Sequence, residues 1–114
     1  LLHGTPARIG ATLAGIAGLL AKDAPLYATF GSIRDARFGS GTRIDNFTYA
    51  PDSGDERGVA HAFFDRKRLR ELLGSHFAIR SLEEHDAGQS AGQWAHPERP
   101  LSGAVHWFAV VTVV

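Results

Sequence analysis

The run from Ala104 to Val114 constrains the fold more than any other stretch, because AVHWFAVVTVV is apolar on both alternating sets of positions. One set is Val105, Trp107, Ala109, Val111 and Val113; the other is His106, Phe108, Val110, Thr112 and Val114. A strand that offers apolar groups to both faces must be covered on both, which is the habit of a central strand in an α/β sheet. The C-terminal run is therefore expected in the middle of the fold. Leu26 to Phe30 and Phe77 to Leu82 are the strands expected to flank it, and two amphipathic helices are expected to cover it.

A chain of 114 residues, 44% hydrophobic and 21% charged, has enough apolar material for one modest core, so a single domain is expected. Twelve basic and twelve acidic residues cancel. The summed charge thus gives no reason to expect nucleic acid or an anionic membrane as partner. The absence of Cys excludes disulfides, thiolate metal sites and cysteine nucleophiles, and suits a reducing compartment. Gly10 to Ala21 is apolar but only helix-length, and no basic region precedes it, so it does not read as a signal peptide. The protein is expected to be soluble and cytoplasmic.

Thr5 is placed to cap a helix and Pro6 sits where its missing N–H is harmless. Ile9, Leu13, Ile16 and Leu20 then form one stripe with Ala17 beside it, predicting a helix from about Pro6 to Ala21. Its three internal glycines, Gly10, Gly15 and Gly18, require tertiary packing to hold it. Lys22 to Pro25 ends that helix, Leu26 to Phe30 alternates as a strand, and Gly31-Ser32 is expected to break it. Gly31 to Ala62 reads as a long irregular connection with a turn at Asp52-Ser53-Gly54. Phe38, Ile44, Phe47 and Tyr49 give it apolar anchors, so it is expected to bind or cover something. The second helix is better marked. Asp65 is its N-cap, Phe64 can staple onto Leu69, Leu72 and Leu73 continue the stripe, and Gly74 closes it. Glu83 to Gly103 is expected to be a polar connection containing Trp94, His96, Pro97 and Pro100.

Three segments carry a resemblance: LYATFGSIRDARFGSG, GVAHAFFDRKRLRELL followed by HFAIRSLEE, and the terminal VHWFAVV. Together they resemble the C-terminal, substrate-side half of a class I S-adenosylmethionine-dependent methyltransferase. In that family a helix precedes the fifth strand, a substrate-facing loop follows it, a helix leads to the sixth strand, and the seventh inserts antiparallel between them. Leu2-His3-Gly4 resembles the segment just after the fourth strand. The resemblance implies an α/β fold with a partial Rossmann-like sheet in the order helix, strand, long loop, helix, strand, strand, the last strand central and antiparallel. The cofactor of the parent family is S-adenosylmethionine. Its glycine-rich turn and ribose-binding acid have no counterpart here, because Gly39-Ser40-Gly41 lacks a strand-to-helix context. No cofactor-binding residue is therefore assigned.

The implied topology puts His3, Arg34, Asp35, Arg37, His61 and Phe64 near the carboxyl ends of strands, where open α/β sheets bind ligands, and these are the candidate residues for a small-molecule methyl acceptor. His61 has two open readings: a general base or acceptor-orienting group, or a side chain packed under the long loop. No catalytic residue is assigned, since methyl transfer needs positioning more than acid–base help. Of the six His residues, no pair has metal-motif spacing, so no metal site is expected. Arg66, Lys67, Arg68 and Arg70 read as a solvated helix face, with a grip on a phosphate or acidic partner as the alternative. Asn46-Phe47-Thr48 is a glycosylation sequon only in a secretory setting, which nothing else supports.

Two functions follow, from different classes. One is the substrate-side portion of a methyltransferase, inactive as the isolated chain and active when the cofactor half is supplied. The other is a non-catalytic α/β interaction or dimerisation module. The edge of the Leu26 strand lacks the charge, Pro or bulge that blunts natural edges, so a homodimer or larger assembly through that edge is expected. Calorimetric titration of the isolated chain with S-adenosylmethionine should reveal no micromolar site; a micromolar site would instead put a nucleotide cradle in the Gly31 to Gly41 loop.

Overall fold

The computed structural model describes residues 1–86 and 103–114. The first helix, α1, spans Pro6–Leu19, with the Thr5 hydroxyl accepting from the Arg8 N–H at 3.3 Å and Pro6 at its first position. It stops short of the expected Ala21 because Leu20 is already extended and Asp23 adopts a left-handed φ of 64°, which turns the chain into the sheet. Ile9 and Leu13 are buried, whereas Ile16 and Leu20 are only half-buried. Of the three helical glycines, Gly10 has a packing reason: a Cβ there would lie 3.2 Å from Leu72. Gly15 and Gly18 face open space.

Strand β1 (Pro25–Ser32) follows, then β2 (Thr42–Asp45), β3 (Thr48–Ala50) and β4 (His61–Phe64). Helix α2 (Arg66–Gly74), β5 (Phe77–Asp86) and β6 (Val105–Val113) complete the order. They form one six-stranded sheet in the order β2-β3-β4-β1-β6-β5. As the sequence predicts, β6 is interior and antiparallel to both neighbours. It pairs with β1 from Pro25↔Thr112 to Gly31↔His106, and with β5 from Phe77↔Val113 to Asp86↔Val105. The fold is thus a mixed α/β arrangement.

Three expectations are corrected. The connection from Gly31 to Ala62 is not irregular: it contains a β2–β3 hairpin and the start of β4, which together widen the sheet beyond β1. β2 is exposed at every position, so it carries no apolar alternation that could reveal a strand. Gly31 and Ser32 do not break β1 either; they pair in parallel with Phe63 and Phe64. Glycine is required there by proximity, since a Cβ on Gly31 would sit 2.8 Å from the Ala62 carbonyl oxygen and 3.1 Å from the Phe63 ring. Finally, Glu83 to Asp86 belongs to β5, while Trp94, His96, Pro97 and Pro100 lie outside the described residues.

The core lies on one face of the sheet. Ile9 and Leu13 of α1, and Leu69 and Leu73 of α2, join Phe30, Phe64, Phe77, Trp107, Ala109 and Val111 in one buried cluster. Both helices therefore cover the same face, instead of one helix on each. On the opposite face Phe108, Val110 and Thr112 are half-buried, which explains why that alternate set is less apolar. The Trp107 indole N–H is satisfied at 2.8 Å by the Phe64 carbonyl, so the largest buried ring also ties β6 to β4.

The basic start of α2 is only partly a solvated face. The Arg66 guanidinium stacks 5.0 Å from the Trp107 ring centroid and the Arg68 guanidinium 3.7 Å from that of Phe47. Asp65 caps the helix as predicted, accepting from the Arg68 N–H at 2.8 Å. Gly31→Ala should destabilise the protein by about 1–3 kcal/mol through overpacking against β4. A lower urea midpoint would show this; an unchanged midpoint would contradict the close approach.

Candidate functional site at the fork between β1 and β4

β1 and β4 touch only at their carboxyl ends, and the gap between their amino-terminal halves is filled by Leu1 to Gly4. The Gly4 N–H donates to the Ala60 carbonyl at 2.8 Å and the Ala62 N–H to the Leu2 carbonyl at 3.1 Å, forming an antiparallel bridge between His3 and His61. The same wedge reaches β1, where the Leu1 nitrogen donates to the Thr29 carbonyl at 2.6 Å. The flank of β1 is accordingly not open along its whole length, as an orphaned edge would be. Its carboxyl end is taken by β4 and its middle by this segment.

Two polar clusters meet at the fork. The first lies in the turn after β1. Asp35 is 3% exposed, and its carboxylate accepts from the Arg37 backbone N–H and Nε–H at 2.9 Å, from Arg37 Nη2 at 3.1 Å and from the Val105 N–H at 2.9 Å. The turn is thereby stapled to the start of β6. Burial raises the Asp35 pKa, but the hydrogen bonds and charge of Arg37 and the Val105 amide outweigh it and hold the carboxyl below its usual range. Arg37 Nη2 also lies 3.3 Å from Nε2 of the buried His106. A guanidinium only donates, so the imidazole accepts there. Burial, and then the Arg37 charge, push the His106 pKa down, which agrees with a neutral ring.

The second cluster is built on His61. Its Nδ1 lies 2.7 Å from the Val59 carbonyl and its Nε2 2.7 Å from Glu56 Oε2. The other carboxylate oxygen of Glu56 is 3.3 Å from His3 Nε2, and the two imidazole rings meet edge-on with centroids 4.8 Å apart. Glu56 is carried by the turn from Pro51 to Ala60, which is closed by Gly58 N–H to Pro51 carbonyl and Val59 N–H to Glu56 carbonyl bonds, each 2.9 Å. Burial raises the Glu56 pKa, but the two imidazoles win and keep it below the ordinary carboxylate value.

Between the clusters is a small pocket of about 140 Å³, lined by Arg37, Ser40, Tyr49, Pro51, His61 and Phe63. The Phe38 ring packs on two of these residues, 5.3 Å from Tyr49 and 5.7 Å from Phe63. A cavity well below the roughly 300–1,000 Å³ of a typical ligand site takes a small group or one end of a ligand. Guanidinium, phenol and imidazole around an aromatic wall suit a polar or anionic small molecule.

Of the residues singled out in the sequence, Arg37 and His61 line this pocket, and His3 lies behind it, against the His61 ring and Glu56. Asp35 acts behind Arg37 as its buried counter-ion. Arg34 points away, pairing with Glu84 of β5. Phe64 is 3% exposed in the core and borders a separate depression with Pro6, Phe47, Arg68, Glu71 and Leu72. Sequence reading missed Tyr49, Glu56 and His106 as site residues. Glu56 sits in a polar turn without periodicity, and His106 is hidden in an apolar strand. No family model matches the chain, and no curated protein matches it either, so its site is read from its own geometry.

Replacing Asp35 by Asn removes charge-assisted bonds to Arg37 and should cost about 1.5–3 kcal/mol at neutral pH. Because folding lowers the Asp35 pKa, its contribution is complete above the unfolded value of about 3.9 and is lost as pH falls through the lower folded value. The difference in urea stability between wild type and Asp35→Asn should therefore shrink on acidification. A difference constant from pH 7 down through this range would contradict the assignment.

Proposed function

We propose that the chain is the substrate-side portion of an S-adenosylmethionine-dependent methyltransferase acting on a small-molecule acceptor. The observation that carries this reading is the order β1-β6-β5, with β6 antiparallel between two parallel strands and a helix preceding each of β1 and β5. That is the order the resemblance requires for the family's fifth, seventh and sixth strands, within a Rossmann-like sheet. The acceptor pocket then lies beyond the fifth-strand position, between Arg37 and His61.

In this reading S-adenosylmethionine, held elsewhere, would supply an electrophilic methyl group to the acceptor that this chain positions. The residues contribute position rather than proton transfer. Arg37, pre-oriented by Asp35, grips an acidic or carbonyl group of the acceptor. Tyr49 and Phe63 hold its body. Both nitrogens of His61 are already engaged by Val59 and Glu56, which favours an orienting role over that of a free base. The cofactor is held by elements that this chain does not supply.

A second reading is supported by one observation. Among the described residues, Leu1, Ile16, Leu26, Tyr27 and Phe108 line a groove of about 470 Å³ beside the amino-terminal half of β1, and Tyr27 is 75% exposed. A second copy paired at this flank would make the protein a homodimeric interaction module. The complete gene product, assayed with isotopically labelled S-adenosylmethionine against a panel of small acids, phenols and amines, distinguishes the two. Methyl transfer that falls at least about tenfold in kcat/KM with Arg37→Ala supports the enzyme reading. No transfer to any acceptor, with a dimer in sedimentation that Tyr27→Lys dissociates, supports the module.

A further inference from the structure

We propose that His3, Glu56 and His61 form a binding site for a divalent transition-metal ion, zinc above all, at the edge of the Arg37–His61 pocket. Each residue offers one ligand atom, and these atoms all lie within 4.8 Å of one another. Two imidazoles and one carboxylate make up a donor set that binds zinc with three protein ligands and leaves a further position for water or a ligand oxygen. Nothing in this depends on methyl transfer, because the ion is held by the chain's own side chains.

The geometry needs little rearrangement. Metal–ligand bonds of about 2.0–2.2 Å in a tetrahedron put neighbouring donor atoms roughly 3.3 Å apart. The His3 Nε2 to Glu56 Oε1 distance is 3.3 Å already, and His61 Nε2 to Glu56 Oε2 is 2.7 Å. His61 is fixed: it is 3% exposed at the start of β4, with Nδ1 facing the Val59 carbonyl. That outer contact is the one that sets the tautomer and ring plane of a metal-binding imidazole and leaves Nε2 as the donor. His3 and Glu56 supply the adjustment, since their side chains are 58% and 45% exposed. An ion can therefore enter without the core opening.

The arrangement also asks for positive charge. The Val59 carbonyl faces Nδ1 of His61, and the Glu56 carboxylate faces its Nε2. Glu56 faces imidazole nitrogen through both oxygens. A metal ion between the three would bind one atom of each and satisfy all three groups at once. Arg37 lies near enough for its charge to interact with Glu56, but its own contacts are with Asp35 and His106. Backbone bonds between Gly4 and Ala60, and between Ala62 and Leu2, hold the two imidazole-bearing segments together before any ion arrives. Such preorganisation is what separates a site from a chance cluster. The ligands come from the N-terminal wedge, a polar turn and a strand start, so no short spacing in the sequence could reveal them.

The test uses the full chain free of any affinity tag, titrated at neutral pH with Co²⁺ while its visible ligand-field absorption is followed. Zn²⁺ is then added in competition. The expected result is one Co²⁺ per chain with four-coordinate bands, full displacement by Zn²⁺, and a melting temperature raised by Zn²⁺. His3→Ala and Glu56→Gln alter exposed side chains and should fold normally by circular dichroism. Each should weaken the metal by at least about tenfold and abolish the thermal shift. The proposal is overturned if no saturable site appears at micromolar metal, or if both variants bind as tightly as the wild type.

Discussion

The structure depends on β6 being paired along both edges. Its backbone is committed to β1 on one side and β5 on the other, and its Trp107, Ala109 and Val111 form the floor on which both helices rest. Hydrogen bonding fixes the order of the strands, while burial of alternate side chains fixes the register, since a slip of one residue would send Trp107 to the open face. The indole N–H bond to Phe64 carries that constraint sideways into β4. Removing β6 would leave two parallel strands unable to meet, for β1 and β5 do not touch each other in the sheet.

The site follows from a second constraint, the divergence of β1 and β4. The two strands pair at Gly31 and Ser32, and at Gly31 the missing side chain lets the backbones approach. Before that point they separate, and the fork admits the Leu1 to Gly4 wedge that carries His3. Beyond it, the turn held by Asp35 folds back over His106, so that Arg37 faces His61 across a narrow cavity. Polar side chains that are distant in sequence are thus gathered by one geometric accident of strand spacing, and then locked by a buried carboxylate.

What was legible in the sequence was whatever repeats or caps. The doubly apolar run gave away β6, the Thr5-Pro6 and Asp65 caps gave away the helices, and alternation at Leu26 and Phe77 gave away the flanking strands. The β2–β3 hairpin was not legible: Thr42–Asp45 is polar and exposed throughout, and Thr48–Ala50 is too short to show a period. β4 was not legible either, and His61 and Ala62 fall at the end of the supposed long connection, because His61–Phe64 is buried at every position and therefore does not alternate. The carboxyl-end rule for open sheets singled out Arg37 and His61, which line the pocket, and equally Arg34 and Phe64, which do not. Glu56 escaped because its role is fixed by a turn that folds onto another segment, which no local pattern encodes. The same is true of His106, whose neighbour Arg37 is far away in the chain.

The central claim is that β6 is shared between β1 and β5 while β4 continues the sheet past β1. A nuclear Overhauser spectrum of the isotopically labelled protein tests it directly. It should contain cross-strand backbone contacts from Ala109 to both Ala28 and Leu82, together with a contact between Gly31 and Phe63. Contacts from Ala109 to only one of the two strands, or none linking Gly31 to Phe63, would contradict the sheet order and the fork that depends on it.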